Sequence, residues 1–152
     1  MHGSTQHTQH GFGLVESLVA LVVVSVGMIG IAALYGQGLG ASRTALLRTH
    51  AVNLASDMAD RIRMNRRGGA GYNGAGADSN CDAGDNVDCT PAQMAAHDVW
   101  AWNQQIGQLL PGGAGVVQYA AAALPTYTIT VTWQDGAFGA MTYQTAIRVP
   151  NL

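Results

Sequence analysis

The 152-residue sequence contains no lysine, and its seven basic residues are all arginine. Charge of either sign is scarce: 11% of residues are charged against 48% hydrophobic, a low-charge balance for a soluble chain. A net charge of -2 argues against binding nucleic acid through bulk electrostatics. The leader Met1–Gly11 has no Lys or Arg, only His2, His7 and His10, so it lacks the basic start of an ordinary secretory signal. No nucleophile–base or metal constellation stands out, which counts against a signal-anchored periplasmic enzyme. His97-Asp98 is the only adjacent His–Asp pair, but neighbours on a helix diverge by about 100°, and the two are expected at the surface.

Two further patterns mimic sites without their context. Gly69-Ala70-Gly71-Tyr72-Asn73-Gly74 fits the dinucleotide pattern GxGxxG, yet it follows a helical segment and opens a loop, so it reads as a chance match. Asp78, Asp82, Asp85 and Asp88 have neither EF-hand spacing nor a closing Glu, and they read as a solvated acidic loop rather than a calcium site. No cofactor and no metal are expected.

The long apolar run comes early. From Phe12 to Leu34 the chain is apolar apart from Glu16, Ser17 and Ser25. These residues would span about 34 Å as a helix, enough for a bilayer core. Glu16 is the only charge in the run, and a carboxylate at the edge of a membrane span is either functional or snorkelling to the interface. An apolar stripe of Leu47, Ala51, Leu54, Met58 and Ile62 then continues the helix to about Asn65, with Asp57–Arg61 and Asp60–Arg63 spaced for ion pairs. Glycines at 27, 30, 36, 38 and 40 each cost up to about 1 kcal/mol in a helix interior. The Gly36-xxx-Gly40 spacing serves either close helix packing or local softness.

Charge is unevenly placed. Residues 43–67 carry six Arg and two Asp, a basic collar, whereas residues 68–152 carry Arg148 against six Asp. Gly68-Gly69 is expected to end the long helix and open a Gly/Asp/Asn loop to residue 89. Within it, Cys81 and Cys89 enclose seven polar residues. They read as a structural disulfide in an oxidising compartment and as free thiols in a reducing one.

Thr90-Pro91-Ala92-Gln93 has the N-cap, proline and capping-box residues of a helix start. That helix is expected to run to about Leu110, with Met94, Trp100, Ile106 and Leu110 facing the core. Val116–Tyr119 reads as a weak strand. Thr126–Trp133 and Met141–Val149 alternate as an antiparallel hairpin, with a turn beginning at Gln134-Asp135-Gly136. The expected fold is therefore α+β: a long N-terminal helix on a small head with a second helix and an antiparallel sheet.

Gly11-Phe12-Gly13-Leu14-Val15-Glu16, followed by about twenty apolar residues, resembles the class III signal of type IV pilins and type II secretion pseudopilins. The interior run Leu54–Asn65 is similar to the end of the long helix in minor pilins of the PilV family. So are the paired cysteines leading into Gln93–Asp98, then Trp102, Leu110-Pro111-Gly112-Gly113 and Val131-Thr132-Trp133. The resemblance implies that a prepilin peptidase cuts between Gly11 and Phe12 and that the new Phe12 amine is methylated. It implies that Glu16 pairs with the Phe12 amine of an adjacent subunit, and it places Cys81 and Cys89 in an oxidising compartment.

The implied division is a leader at 1–11, a long helix at 12–67 with its membrane or fibre-core part at 12–35, and a head at 68–152 with the disulfide loop 81–89. The implied partners are other minor pilins, the major pilin, a PilY-type tip adhesin, the inner-membrane assembly platform and the prepilin peptidase. The implied location is the bacterial inner membrane with a periplasmic head, then the pilus. A type II secretion minor pseudopilin is the alternative of similar architecture.

Overall fold

The computed structural model describes residues 13–82, 88–136 and 138–150. Helix α1 spans Leu14–Met64. The chain divides into two units, one ending at Ala41 and the other running from Ser42, and α1 contributes to both.

In the first unit every described residue of α1 is exposed. Its most apolar window has a mean hydropathy of 2.6, long and apolar enough to cross a membrane. In water such a surface would be strongly unfavourable, so this segment needs lipid or other apolar helices around it.

In the second unit the rest of α1 buries one stripe. Leu47, Ala51, Leu54, Met58 and Ile62 are all buried, joined by Ala55 and Ala59. This is the 3.6-residue periodicity of the sequence turned inward. The α-helix stops at Met64, and a 3₁₀ turn, Arg66–Tyr72, follows it. The helix thus ends one residue before the expected Asn65, but Gly68-Gly69, expected to open a loop, lie inside the 3₁₀ turn. Gly69 adopts φ 49°, a left-handed conformation that glycine enters without steric cost, and this lets the chain kink within the turn.

Helix α2 spans Pro91–Leu109. Its start is fixed by a complete capping box: Thr90 Oγ1 accepts from the Gln93 amide at 3.3 Å, and the Thr90 amide donates to Gln93 Oε1 at 2.9 Å. Of the residues expected to face the core, Ile106 and Leu110 are buried, but the rest of the buried face differs. Ala95, His97, Val99, Trp102 and Ile106 point inward, while Met94 and Trp100 are only half-buried. Several apolar residues lie around α2, so its own pattern does not single out one face; the partner surface chooses.

Strands β1 (Ala114–Ala120), β2 (Thr126–Asp135) and β3 (Gly139–Arg148) form one antiparallel sheet in the order β1-β2-β3. β2 buries Tyr127, Ile129, Val131 and Trp133 on one face, as alternation requires. It continues to Asp135, paired with Gly139, so the turn begins later than Gln134. Residue 115 must be small. A side chain on Gly115 would overlap the Trp102 ring and Ile106, so the missing Cβ makes room for α2 to lie on β1.

Candidate functional site

Glu16 lies in the first turn of α1, where the amides of Glu16 and Ser17 donate to the Gly13 carbonyl at 3.0 and 3.2 Å. A carboxylate there complements the positive end of the helix dipole. Its surroundings are the exposed apolar residues Leu14, Val15, Leu18 and Val19. Gly11 and Phe12, the expected cleavage and methylation positions, lie outside the described residues.

Cys81 and Cys89 form a disulfide with an S–S distance of 2.01 Å and Cα atoms 5.8 Å apart. The chain leading to Cys81 is held on α2 by the Ala77 amide, which donates to the Ala96 carbonyl at 2.9 Å. Asp78 Oδ1 accepts from the Asn80 amide at 2.9 Å, closing a local turn in which Asn80 takes a left-handed φ of 52°.

His97 and Asp98 are not the surface pair expected. The His97 side chain is 6% exposed and that of Asp98 is 16% exposed. Their helical divergence sends them to different partners. His97 Nδ1 is 3.3 Å from Asp78 Oδ1, and Nε2 is 3.4 Å from Asp82 Oδ1. The Nδ1 contact has ion-pair distance without hydrogen-bond alignment. The two aspartates therefore face opposite ring nitrogens and do not converge on one point. Among the described residues, no group of three or more His, Cys, Asp or Glu side chains is arranged to hold a metal.

Asp98 instead enters a network that joins α1, the 3₁₀ turn and α2. Arg61 Nη1 donates to Asp98 Oδ1 at 3.2 Å, and Arg61 Nε to Asp57 Oδ2 at 3.0 Å. Burial works against the Arg61 charge, but Asp57 and Asp98 outweigh it and raise its pKa above the ordinary arginine value. Tyr72 Oη lies 3.1 Å from the Arg61 carbonyl and 3.2 Å from Asp98 Oδ2, donating its one proton toward both acceptors. Burial, then the Asp98 carboxylate, pushes the Tyr72 hydroxyl well above the usual phenol range.

These contacts hold the distal part of α1 in the head, and sequence reasoning missed them. It found the local pairs Asp57–Arg61 and Asp60–Arg63, both present at 3.0 and 2.6 Å. Asp98 and Tyr72 lie 37 and 11 residues from Arg61, with no periodic signal to connect them. Asn103 was also missed. It brackets Gly115, accepting from its amide at 2.7 Å and donating to its carbonyl at 3.0 Å.

Residues 33–100 match the family model described as Type IV pilin Tt1218, and residues 6–32 match the prokaryotic N-terminal methylation motif. Together the two matches cover the apolar helix, the distal part of α1, the disulfide loop and the first half of α2. A type IV pilin domain behind an N-terminal methylation motif supports a type IV pilin, in a structural rather than an enzymatic class of protein. The comparisons with curated proteins and with solved structures each returned no match.

Proposed function

We propose that this chain is a minor pilin of the PilV kind. In this reading it enters the type IV pilus, helps to prime assembly and form the tip complex, and so supports pilus biogenesis, twitching motility and adhesion. The observation that carries the reading is α1 itself: an apolar helix, fully exposed along its first unit, with the lone carboxylate of Glu16 in its first turn. The methylation motif over residues 6–32 spans the proposed Gly11–Phe12 cleavage point and supports processing there.

Physical chemistry supplies the mechanism. In the inner membrane the apolar helix is solvated by lipid, with the head in the periplasm. It leaves the bilayer only where neighbouring helices replace the lipid contacts, through close packing rather than a hydrophobic gain. In that apolar core an unpaired Glu16 carboxylate is costly. Cleavage between Gly11 and Phe12 frees an amine, and Glu16 pairs with the methylated Phe12 amine of an adjacent subunit. Charge pairing then sets the axial register, while the helix surface supplies contact area. The head, closed by its disulfide, faces outward to other minor pilins, the major pilin and a PilY-type adhesin.

The test is the intact mass and company of the protein in its own cells. The account expects loss of Met1–Gly11, a methylated Phe12, and co-purification with pilus components and the assembly platform. An unchanged N-terminus in a pilus-bearing cell contradicts it. Co-purification with type II secretion components instead would assign the chain to the pseudopilin alternative.

A further inference from the structure

The arginines of the basic collar are not equivalent. Arg61 and Arg63 have carboxylate partners in Asp57, Asp98 and Asp60. Arg43 and Arg48 are exposed, and among the described residues no carboxylate lies within ion-pair distance of either. Their own stretch of helix offers none, because between Glu16 and Asp57 the sequence has no Asp or Glu.

Length places these two charges beside the membrane. From Glu16 to Tyr35 the helix rises about 28 Å, the thickness of a hydrocarbon core. A carboxylate and a tyrosine 71% exposed therefore stand at the two edges of that core. The first unit ends at Ala41, about 9 Å beyond Tyr35, at the outer limit of a headgroup layer. Arg43 follows Ala41 by two residues, so the covalent chain alone keeps it within about 7 Å of that point. Arg48 lies about 7 Å further along α1. Side chains on a helix lean toward its N-terminal end, here back toward Ser42, and an anionic surface acts over a Debye length of about 8–10 Å. Leu46, exposed and three residues from Arg43 on the same helix face, adds an apolar contact beside the charge.

We infer that Arg43 and Arg48 bind the headgroups of anionic phospholipids where the helix emerges from the bilayer. The membrane-bound subunit then prefers anionic to zwitterionic lipid. The inference rests on the membrane-anchored part of the proposed function and names the lipid chemistry that part takes. A lipid surface fits better than a carboxylate of another protein, because chain length holds both guanidiniums beside the bilayer before any other subunit arrives. Extraction into a fibre breaks these contacts, so anionic lipid favours the membrane pool.

The test is the lipid selectivity of the full-length chain in phosphatidylcholine bilayers. Spin-labelled phosphatidylglycerol or phosphatidylcholine is the probe, and electron spin resonance resolves the lipid immobilised at the protein surface. Wild type should favour phosphatidylglycerol about fivefold at low salt, and the preference should fall toward unity at about 1 M salt. Arg43→Gln/Arg48→Gln should lose it, and Arg43→Lys/Arg48→Lys should keep it. Arg66→Gln/Arg67→Gln should also keep it, since it changes net charge equally at the far end of α1. Inorganic phosphate at matched ionic strength should leave it unchanged. The inference is overturned by equal immobilisation of the two lipids, by persistence of the preference in Arg43→Gln/Arg48→Gln, or by its loss in Arg66→Gln/Arg67→Gln. Displacement by phosphate also overturns it and assigns the arginines to a free anion. Lipid immobilised without preference leaves the membrane anchor standing, whereas the absence of any immobilised lipid contradicts the anchor itself.

Discussion

The indole Nε1 of Trp102 donates to the backbone carbonyl of Leu54 at 2.8 Å, a fully buried bond between residues 48 apart. It fastens α2 to the middle of the α1 stripe while the ring fills the space left by Gly115. Trp102→Phe keeps most of the ring but leaves that carbonyl without the indole donor, a loss of about 1–2 kcal/mol. Trp102→Ala opens a cavity and costs about 3–5 kcal/mol. Urea unfolding of the full-length chain in detergent, followed by near-ultraviolet circular dichroism, checks both. A smaller loss for Ala than for Phe contradicts this packing.

Tyr72 makes the head sensitive to alkali. Its hydroxyl is held above the ordinary phenol value of 10.0 by burial and by Asp98, so the folded state favours the protonated form. Stability from this group is therefore complete below about pH 10, the unfolded value, and is lost as pH rises toward the folded one. Tyr127, raised by burial and by Tyr119, acts in the same direction. Tyr72→Phe should cost about 1–2 kcal/mol at neutral pH, through the lost bonds to the Arg61 carbonyl and Asp98. It should also flatten the fall in stability above pH 10. Unfolding curves measured from pH 7 to 11 for both proteins decide this, and parallel declines would contradict the role assigned to Tyr72.

The Cys81–Cys89 bridge closes a short loop, with a sequence separation of 8. By the loop-closure relation its reduction lowers stability by about 2–3 kcal/mol. Alkylation of the protein from its own cells without reductant should label neither cysteine. Quantitative labelling of both would contradict a disulfide in the cell.

The elements with one dominant period were legible in the sequence. The stripe Leu47–Ile62 repeats at helical spacing and is buried as that spacing demands. The β2 residues Tyr127, Ile129, Val131 and Trp133 alternate and share the buried face. Thr90 and Gln93 carry a capping signal that depends on four consecutive residues alone. Features set by distant partners were not legible. Trp102 rather than Trp100 is fully buried because Gly115 leaves room for it, and nothing within α2 records that. His97 and Asp98 left the expected surface because Asp78 and Asp82 lie against one and Arg61 with Tyr72 holds the other. Glu16 was conspicuous as one charge in an apolar run, a property of local composition that needs no tertiary contact.

The central claim is that Glu16 directs assembly rather than insertion. Near the interface its carboxylate is solvated by water and headgroups, so Glu16→Ala should insert in the membrane as well as wild type. Processing between Gly11 and Phe12 should persist, because the substitution lies beyond the scissile bond. On the proposed assembly, however, the variant would leave a neighbour's Phe12 amine in the fibre core without its counter-charge. Removing one partner of a buried ion pair costs about 3–5 kcal/mol, a hundredfold or more in incorporation. The decisive measurement is the amount of this subunit in sheared fibres relative to its membrane pool, for wild type and Glu16→Ala. The account predicts a ratio at least about a hundredfold lower for the variant; equal ratios would contradict it and return Glu16 to a snorkelling residue at the membrane edge.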